Sequence, residues 1–277
     1  MSLTSYEFSP HIRTFYEKYN EADRLASGVF QLERERTQEM LARYLPQPPA
    51  KILDIGGGPG VYAAWLAQRN YEVHLVDPVA THLENARKLS EQQPATPIAS
   101  ITPGDARALQ FEDASAEVVL LLGPLYHLIA RTDRIAALQE ARRVLKPGGL
   151  LCVAIISRFA SALGGLFENA LSDPLFAEIV QHDLATGEHR NPTGRIDYFT
   201  EAYFHRPHEI AEEITEAGLR HEGTFALEGP FWLMKDFDAC WNDAVRREQM
   251  LLLARQMEHE PSLIGASAHL LAIARKV

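Results

Sequence analysis

Lys51-Ile-Leu-Asp-Ile-Gly-Gly-Gly-Pro-Gly60 is the stretch on which the fold turns. Ile52, Leu53 and Ile55 form a short apolar run that breaks into four glycines within five residues. A helix-like segment from Val61 to Arg69 follows at once. A buried strand, a tight turn and a helix N-terminus in direct succession let backbone N–H groups close on a bound nucleotide. Glycine suits such a turn because it accepts positive φ and has no Cβ to block a ligand.

Outward from this turn the pattern alternates. Tyr71–Val76, Ile98–Thr102, Val118–Leu122 and Leu150–Ile156 read as strands, and Thr81–Gln92 and Asp133–Leu145 as helices. Lys146-Pro147-Gly148-Gly149 is expected to end the last of these helices, since proline cannot continue it and glycine accepts the left-handed conformation. Strands that are apolar on both faces and alternate with helices predict a parallel sheet covered on both sides. The rhythm breaks over 157–206, which is rich in Gly, His, Asn, Asp and Thr and reads as an insertion, helical around Pro174–Gln181. It resumes with a helix at His208–Ala217, a strand near His221–Leu227, one long amphipathic helix over Asp236–Glu258 and a final strand at His269–Arg275. Before the sheet, Ile12–Leu45 reads as helical and stops at Pro46, Pro48 and Pro49.

The 277 residues are 46% hydrophobic and 23% charged, with a formal net charge of -10. That balance argues against a general affinity for phosphate backbones. Cys152 and Cys240 stand far apart and fit two reduced core thiols. The N-terminus has no apolar signal-peptide core and no run of eighteen apolar residues occurs, so a soluble cytoplasmic protein is expected.

The glycine spacing separates two nucleotide classes. A dinucleotide fingerprint wants G-x-G-x-x-G, and counting from Gly56 the sixth position is Val61. What fits is acid-x-G-x-G-x-G: Asp54, Gly56, Gly58, Gly60. Leu75-Val76-Asp77 places a carboxylate at the end of the next strand, where it can accept from two ribose hydroxyls. Gly104-Asp105-Ala106 adds an acid after the third strand, and Val144-Leu145-Lys146-Pro147-Gly148-Gly149 precedes the fifth. In order and spacing these features resemble the class I S-adenosylmethionine-dependent methyltransferases, with a type 11-like domain. The resemblance covers roughly 50–156 and 208–277. Glu117 stands where the family often has Asp.

The resemblance implies a doubly wound, seven-stranded, mostly parallel Rossmann-like sheet, with 1–49 as an N-terminal helical cap over a domain at 50–277. Segment 157–206, after the fifth strand, would be a substrate lid. It implies S-adenosylmethionine as cofactor and S-adenosylhomocysteine as product. The expected cofactor contacts are Asp54, Gly56, Gly57, Gly58, Gly60, Asp77, Pro78, Asp105, Ala106, Leu122 and Gly123, with Tyr19 folding over from the cap beside Tyr16 and Arg24. Asp105 would accept from the adenine amino group.

Substrates of such sheets bind outside the carboxyl ends of the strands. The fourth strand runs into Gly123-Pro124-Leu125-Tyr126-His127. Enzymes that methylate base amines carry Asn/Asp-Pro-Pro-Tyr here; the missing side-chain acceptor argues against a nucleic-acid acceptor. His127 is the candidate for proton transfer, because imidazole titrates near neutral pH. Packing against the cofactor edge or capping the next helix stays open for it. Tyr126 reads as a wall. His182, Arg190, Tyr198, His205 and Trp232 are further candidates for substrate contact. His205 and His208 straddle Pro207 without a completing ligand, so no metal is expected. The function expected is methyl transfer to an O, N or C nucleophile of a small molecule. The alternatives are an NAD(P)-dependent oxidoreductase, a non-catalytic S-adenosylmethionine-binding protein, and a methyltransferase with a protein or RNA acceptor.

Overall fold

The computed structural model describes residues 9–18 and 21–277. Three helices come first: α1 (Pro10–Lys18), α2 (Glu21–Arg24) and α3 (Phe30–Tyr44). The continuous helix expected over Ile12–Leu45 is therefore interrupted. One interruption holds Gly28, whose φ of +53° a helix cannot carry.

The alternating part follows as β1 (Lys51–Ile55), α4 (Val61–Ala67), β2 (Glu72–Asp77), α5 (Ala80–Glu91), β3 (Ser100–Pro103), β4 (Ala116–Leu121), α6 (Arg131–Val144) and β5 (Leu145–Ser157). The chain continues through α7 (Ala160–Phe167), α8 (Pro174–Thr186), β6 (Glu188–His189), β7 (Ala202–His205), α9 (Glu209–Glu216), β8 (Leu219–Ala226), α10 (Phe237–Asn242), α11 (Ala244–Met257) and β9 (His269–Lys276). The main sheet has the order β3-β2-β1-β4-β5-β9-β8. Its first five strands are parallel, and β9 runs antiparallel to both β5 and β8. Chain order reverses between β1 and β4, the switch point where open α/β sheets bind ligands.

Period-two alternation splits the core into two layers. Leu53, Val119, Leu121, Leu151 and Val153 pack with α6 and α9 on one face. Ile52, Val118, Leu120, Cys152 and Leu271 pack with α3, α4 and α5 on the other. Burial of each such side chain contributes roughly 1.5–3 kcal/mol. Glu117 ties the edge opposite the switch-point cleft, accepting from the Lys51 backbone N–H at 2.8 Å and pairing with Lys146.

Three local expectations are corrected. The helix does stop at Val144, but Lys146–Gly149 enters β5 with a register shift against β4. Gly148, at φ +75°, absorbs that irregularity within the strand. The single helix over Asp236–Glu258 is two. Asp243 is extended and caps α11 with a carboxylate that accepts from Val245 and Arg246 N–H. Segment 157–206 is not mainly irregular: it folds into two helices and a short antiparallel pair. β5 overruns β4, and its overhang Ile156–Ser157 takes Phe204–His205 of β7 as a parallel neighbour. This docks the insertion beside the carboxyl end of β4.

Candidate active site

The turn after β1 is held from two sides. Gly56 N–H donates to Val76 O at 2.7 Å, and Gly58 N–H donates to Asp77 Oδ2 at 2.9 Å. Gly56 has φ +68°, and a Cβ there would lie 2.6 Å from Pro124 Cδ, so this position admits no side chain. At Gly57 a Cβ would come within 2.7 Å of Asp54 Oδ2. Glycine at this position leaves room beside the Asp54 carboxylate.

Asp54 is buried, and neither carboxylate oxygen has a hydrogen-bond partner. Burial first, then the Asp77 charge, raises its pKa to about 7. A buried acceptor left this way costs the full desolvation penalty. A donor entering the cavity would relieve that penalty. Asp77 is already engaged: Oδ1 accepts from Val79 N–H at 2.8 Å and contacts His82 Nδ1 at 3.1 Å. With Gly58 N–H on Oδ2, one of its four acceptor positions stays open. Asp105 accepts three bonds from Arg107, whose other arm reaches Asp133 at 2.8 Å.

These groups face one cavity of about 510 Å³, within the range of small-molecule sites. The cavity brings together Asp54, Gly56, Gly57, Gly58, Asp77, Pro78, Asp105, Ala106, Leu122, Gly123, Tyr126 and His127. Gly60 lies behind the lining, where it precedes α4 and approaches Ala86. Tyr19 falls outside the described residues.

After β4, a single 3-10 turn over Leu125–His127 places His127 at the wall. Its Nδ1 lies 3.0 Å from the Glu201 carbonyl and its Nε2 2.7 Å from Tyr16 Oη. A carbonyl only accepts, so Nδ1 carries the proton and Nε2 accepts from the tyrosine hydroxyl. Burial lowers the His127 pKa to about 4, against the pull of the Glu201 carbonyl. The imidazole is accordingly neutral. Tyr16 is raised well above its usual range, mainly by burial and then by Tyr126.

Residues the sequence did not single out complete the walls: Glu21, Glu33, Tyr62, His82 and Ile129. Nothing in their local sequence marks them, since a helical acid among charged neighbours reads as solvated. Arg24, from the cap, does line the cavity; it donates to Glu21 at 2.7 Å and to Glu33 at 2.5 and 3.1 Å.

The five insertion and wall candidates lie away from the cavity lining. His182 and Arg190 are exposed, Arg190 pairing with Glu188 at 2.9 Å. The Tyr198 hydroxyl donates to Asp173 at 2.6 Å inside the packing of the insertion. His205 is fully buried against Glu213 at 3.3 Å. Trp232 donates its indole N–H to the Ala266 carbonyl at 2.8 Å. The polarity of Tyr198, His205 and Trp232 is taken up in holding the insertion and the loop after β8. The insertion meets the site instead through Glu201, on His127, and Phe199, whose ring lies 5.9 Å from the imidazole.

A family model described as a methyltransferase domain matches residues 52–149, the span from β1 into β5 that builds most of this cavity. Over those residues the chain carries a methyltransferase domain. A ubiquinone/menaquinone biosynthesis C-methyltransferase of Ruegeria sp. is 30% identical to it over 138 residues, 49% of this chain and 53% of that protein. A malonyl-[acyl-carrier protein] O-methyltransferase of Methylococcus capsulatus is 34% identical over 128 residues, 45% of this chain and 44% of that protein. The chain thus spans about half the length of the curated relatives it matches. A crystal structure described as an S-adenosylmethionine-dependent methyltransferase, from Methanosarcina mazei, superposes with a TM-score of 0.57. It is 18% identical and covers 86% of this chain and 97% of its own. The domain implies S-adenosylmethionine as cofactor, and the partnerless Asp54 carboxylate beneath an open glycine turn fits that group. Among the described residues no helix is long and apolar enough to cross a membrane.

Proposed function

We propose that this chain is an S-adenosylmethionine-dependent methyltransferase that methylates an O, N or C nucleophile of a small molecule in the cytoplasm. The observation that carries the proposal is Asp54. It is a buried carboxylate without a partner, beneath a glycine turn, at one end of a cavity that also reaches His127 and Tyr16. When bound, the sulfonium cofactor supplies an activated methyl group together with its own leaving group.

The residues of the chain then have separable tasks. Asp54 would receive the ammonium of the methionine end. Asp77 would take ribose hydroxyls, one on its open Oδ2 position and a second in competition with His82. Asp105 would turn its remaining Oδ2 capacity to the adenine amino group, with Pro78, Ala106, Leu122 and Gly123 along the nucleoside. The cap at 1–49 and the insertion at 157–206 meet at His127 through Tyr16 and Glu201, which supports reading them as cap and lid over the domain at 50–277. Alignment of nucleophile and methyl in a closed, dry site can supply roughly 7–11 kcal/mol of barrier lowering. His127, held by both segments, is where an acceptor proton would be received.

The small-molecule acceptor is supported by the net charge of -10 and by a cavity of about 510 Å³. The Ruegeria and Methylococcus relatives are named for carbon and oxygen acceptors respectively, so likeness to them leaves the atom open. Calorimetry with S-adenosylhomocysteine tests the reading. Binding should weaken about tenfold or more in Asp77→Ala, the worth of charge-assisted hydrogen bonds of ~1.5–3 kcal/mol. Preference for NADH over S-adenosylhomocysteine would instead establish the oxidoreductase alternative.

A further inference from the structure

The hydrogen-bond chain at the cavity wall has a fixed direction. Glu201 O takes the His127 Nδ1 proton, His127 Nε2 takes the Tyr16 proton, and the Tyr16 oxygen is left facing the cavity with lone pairs only. Among the described residues Tyr16 Oη has this one hydrogen bond. The cations of the same wall point to the same conclusion. Arg24 lies between Glu21 and Glu33, and Arg107 between Asp105 and Asp133. Each guanidinium is outnumbered by the carboxylates on it, so among the described residues the lining offers an anionic acceptor no cation free of acidic partners. The remaining walls are largely apolar and aromatic, including Ile12, Leu25, Tyr62 and Tyr126, with the polar side chains of Ser9 and His82 among them.

We infer that the methyl acceptor presents an O–H or N–H donor, on a neutral or cationic molecule with an apolar body, to the Tyr16 hydroxyl oxygen. A carboxylate or phosphate acceptor would find no cation free of acidic partners there. This rests on the methyltransferase reading above and narrows it. The proton balance closes within the chain of bonds. As the acceptor's O or N bonds to the methyl carbon, the carbon–sulfur pair stays on sulfur. The acceptor's proton passes to Tyr16 Oη, and the Tyr16 proton passes to His127 Nε2, giving an imidazolium that later returns it to water. Tyr16 is therefore the catalytic residue that touches substrate, and His127, whose burial disfavours the imidazolium, acts through it as a positioning residue and transient proton relay.

The test uses the full chain saturated with S-adenosylhomocysteine and four probes: benzyl alcohol, benzylamine, toluene and benzoate. Calorimetry should show benzyl alcohol and benzylamine binding more tightly than toluene, and no benzoate binding. In Tyr16→Phe the two donors should lose about fivefold, the worth of one hydrogen bond, while toluene is unchanged. The ¹⁵N spectrum of His127 should show a protonated Nδ1 and a bare, accepting Nε2, with Nε2 shifted in Tyr16→Phe. Benzoate binding as tightly as benzylamine, donors indifferent to Tyr16→Phe, or a protonated Nε2 would each overturn the inference. So would four silent probes on a protein that binds S-adenosylhomocysteine, with the methyltransferase reading left standing. Loss of S-adenosylhomocysteine binding by the unmodified protein would overturn that reading first.

Discussion

Asp54 and His127 lie in the same cavity, and burial moves their pKa values in opposite directions, to about 7 and about 4. Each shift favours the neutral form, and each has a readable consequence. A ligand ammonium beside Asp54 favours its carboxylate, so binding at pH 6 should release a proton. Affinity for S-adenosylhomocysteine should rise from pH 6 to pH 8. Calorimetry in buffers of different ionisation enthalpy measures both effects, and Asp54→Asn should abolish the proton release. The backbone beneath is equally constrained. In Gly56→Ala the left-handed φ costs about 1–2 kcal/mol, and the contact with Pro124 adds an overpacking cost of roughly 1–3 kcal/mol. Urea unfolding should show a loss within that combined range, together with weakened S-adenosylhomocysteine binding.

At the scale of elements, one buried cluster joins three of them. Arg134 on α6 donates to Glu213 on α9 at 2.7 Å, and Glu213 also holds His205 of β7 at 3.3 Å. Burial raises the Glu213 pKa, but the hydrogen bonds from His205 and Arg134 outweigh it and the net direction is down. Arg134→Met strands that charge and should destabilise the protein by about 3–5 kcal/mol. Arg134→Met combined with Glu213→Leu should recover most of the loss, which urea melts of the single and double variants would show. The pairing partners here come from positions 134, 205 and 213, and no periodicity in the sequence announces them. The alternating strands were legible because each carries its own apolar run, as at Val118–Leu121. Element ends were legible only where chemistry forces them. Asp243 splits a continuous amphipathic pattern by capping α11, and Lys146–Gly149 is carried within β5 as an irregularity between the Leu145 and Leu150 pairings to β4. A local cap decided the first place, and pairing of the flanking residues with β4 the second.

For the molecule as a whole, the half of the cavity built by the glycine turn and the acids of β1 and β2 was legible, and the half where α1 and the insertion meet His127 was not. Asp54, the glycines and Asp77 lie within 24 residues of one another, and their geometry follows from one strand–turn–helix unit. Tyr16, His127 and Glu201 meet only because α1 and the insertion both reach the carboxyl end of β4. The same assembly sets how stability responds to ligand and pH. Asp54 has a folded pKa above its unfolded value, so its contribution is full below about pH 4 and is lost as pH rises through about 7. His127 has a folded pKa below its unfolded value, so stability is lost as pH falls from about 6.5 to about 4. The two slopes oppose each other between about pH 4 and pH 6.5, and Asp54 alone acts near pH 7. Ligand-free protein should therefore melt slightly lower at pH 8 than at pH 6.5. S-adenosylhomocysteine at 100 times its Kd adds about 2.7 kcal/mol, or roughly 5 °C in Tm for a chain of this size. Because the ligand favours ionised Asp54, a fixed concentration of S-adenosylhomocysteine should raise Tm more at pH 8 than at pH 6.5. Scanning fluorimetry at the two pH values, with NADH as the control that shifts neither, measures this difference. An equal shift at both would remove Asp54 from the cofactor site.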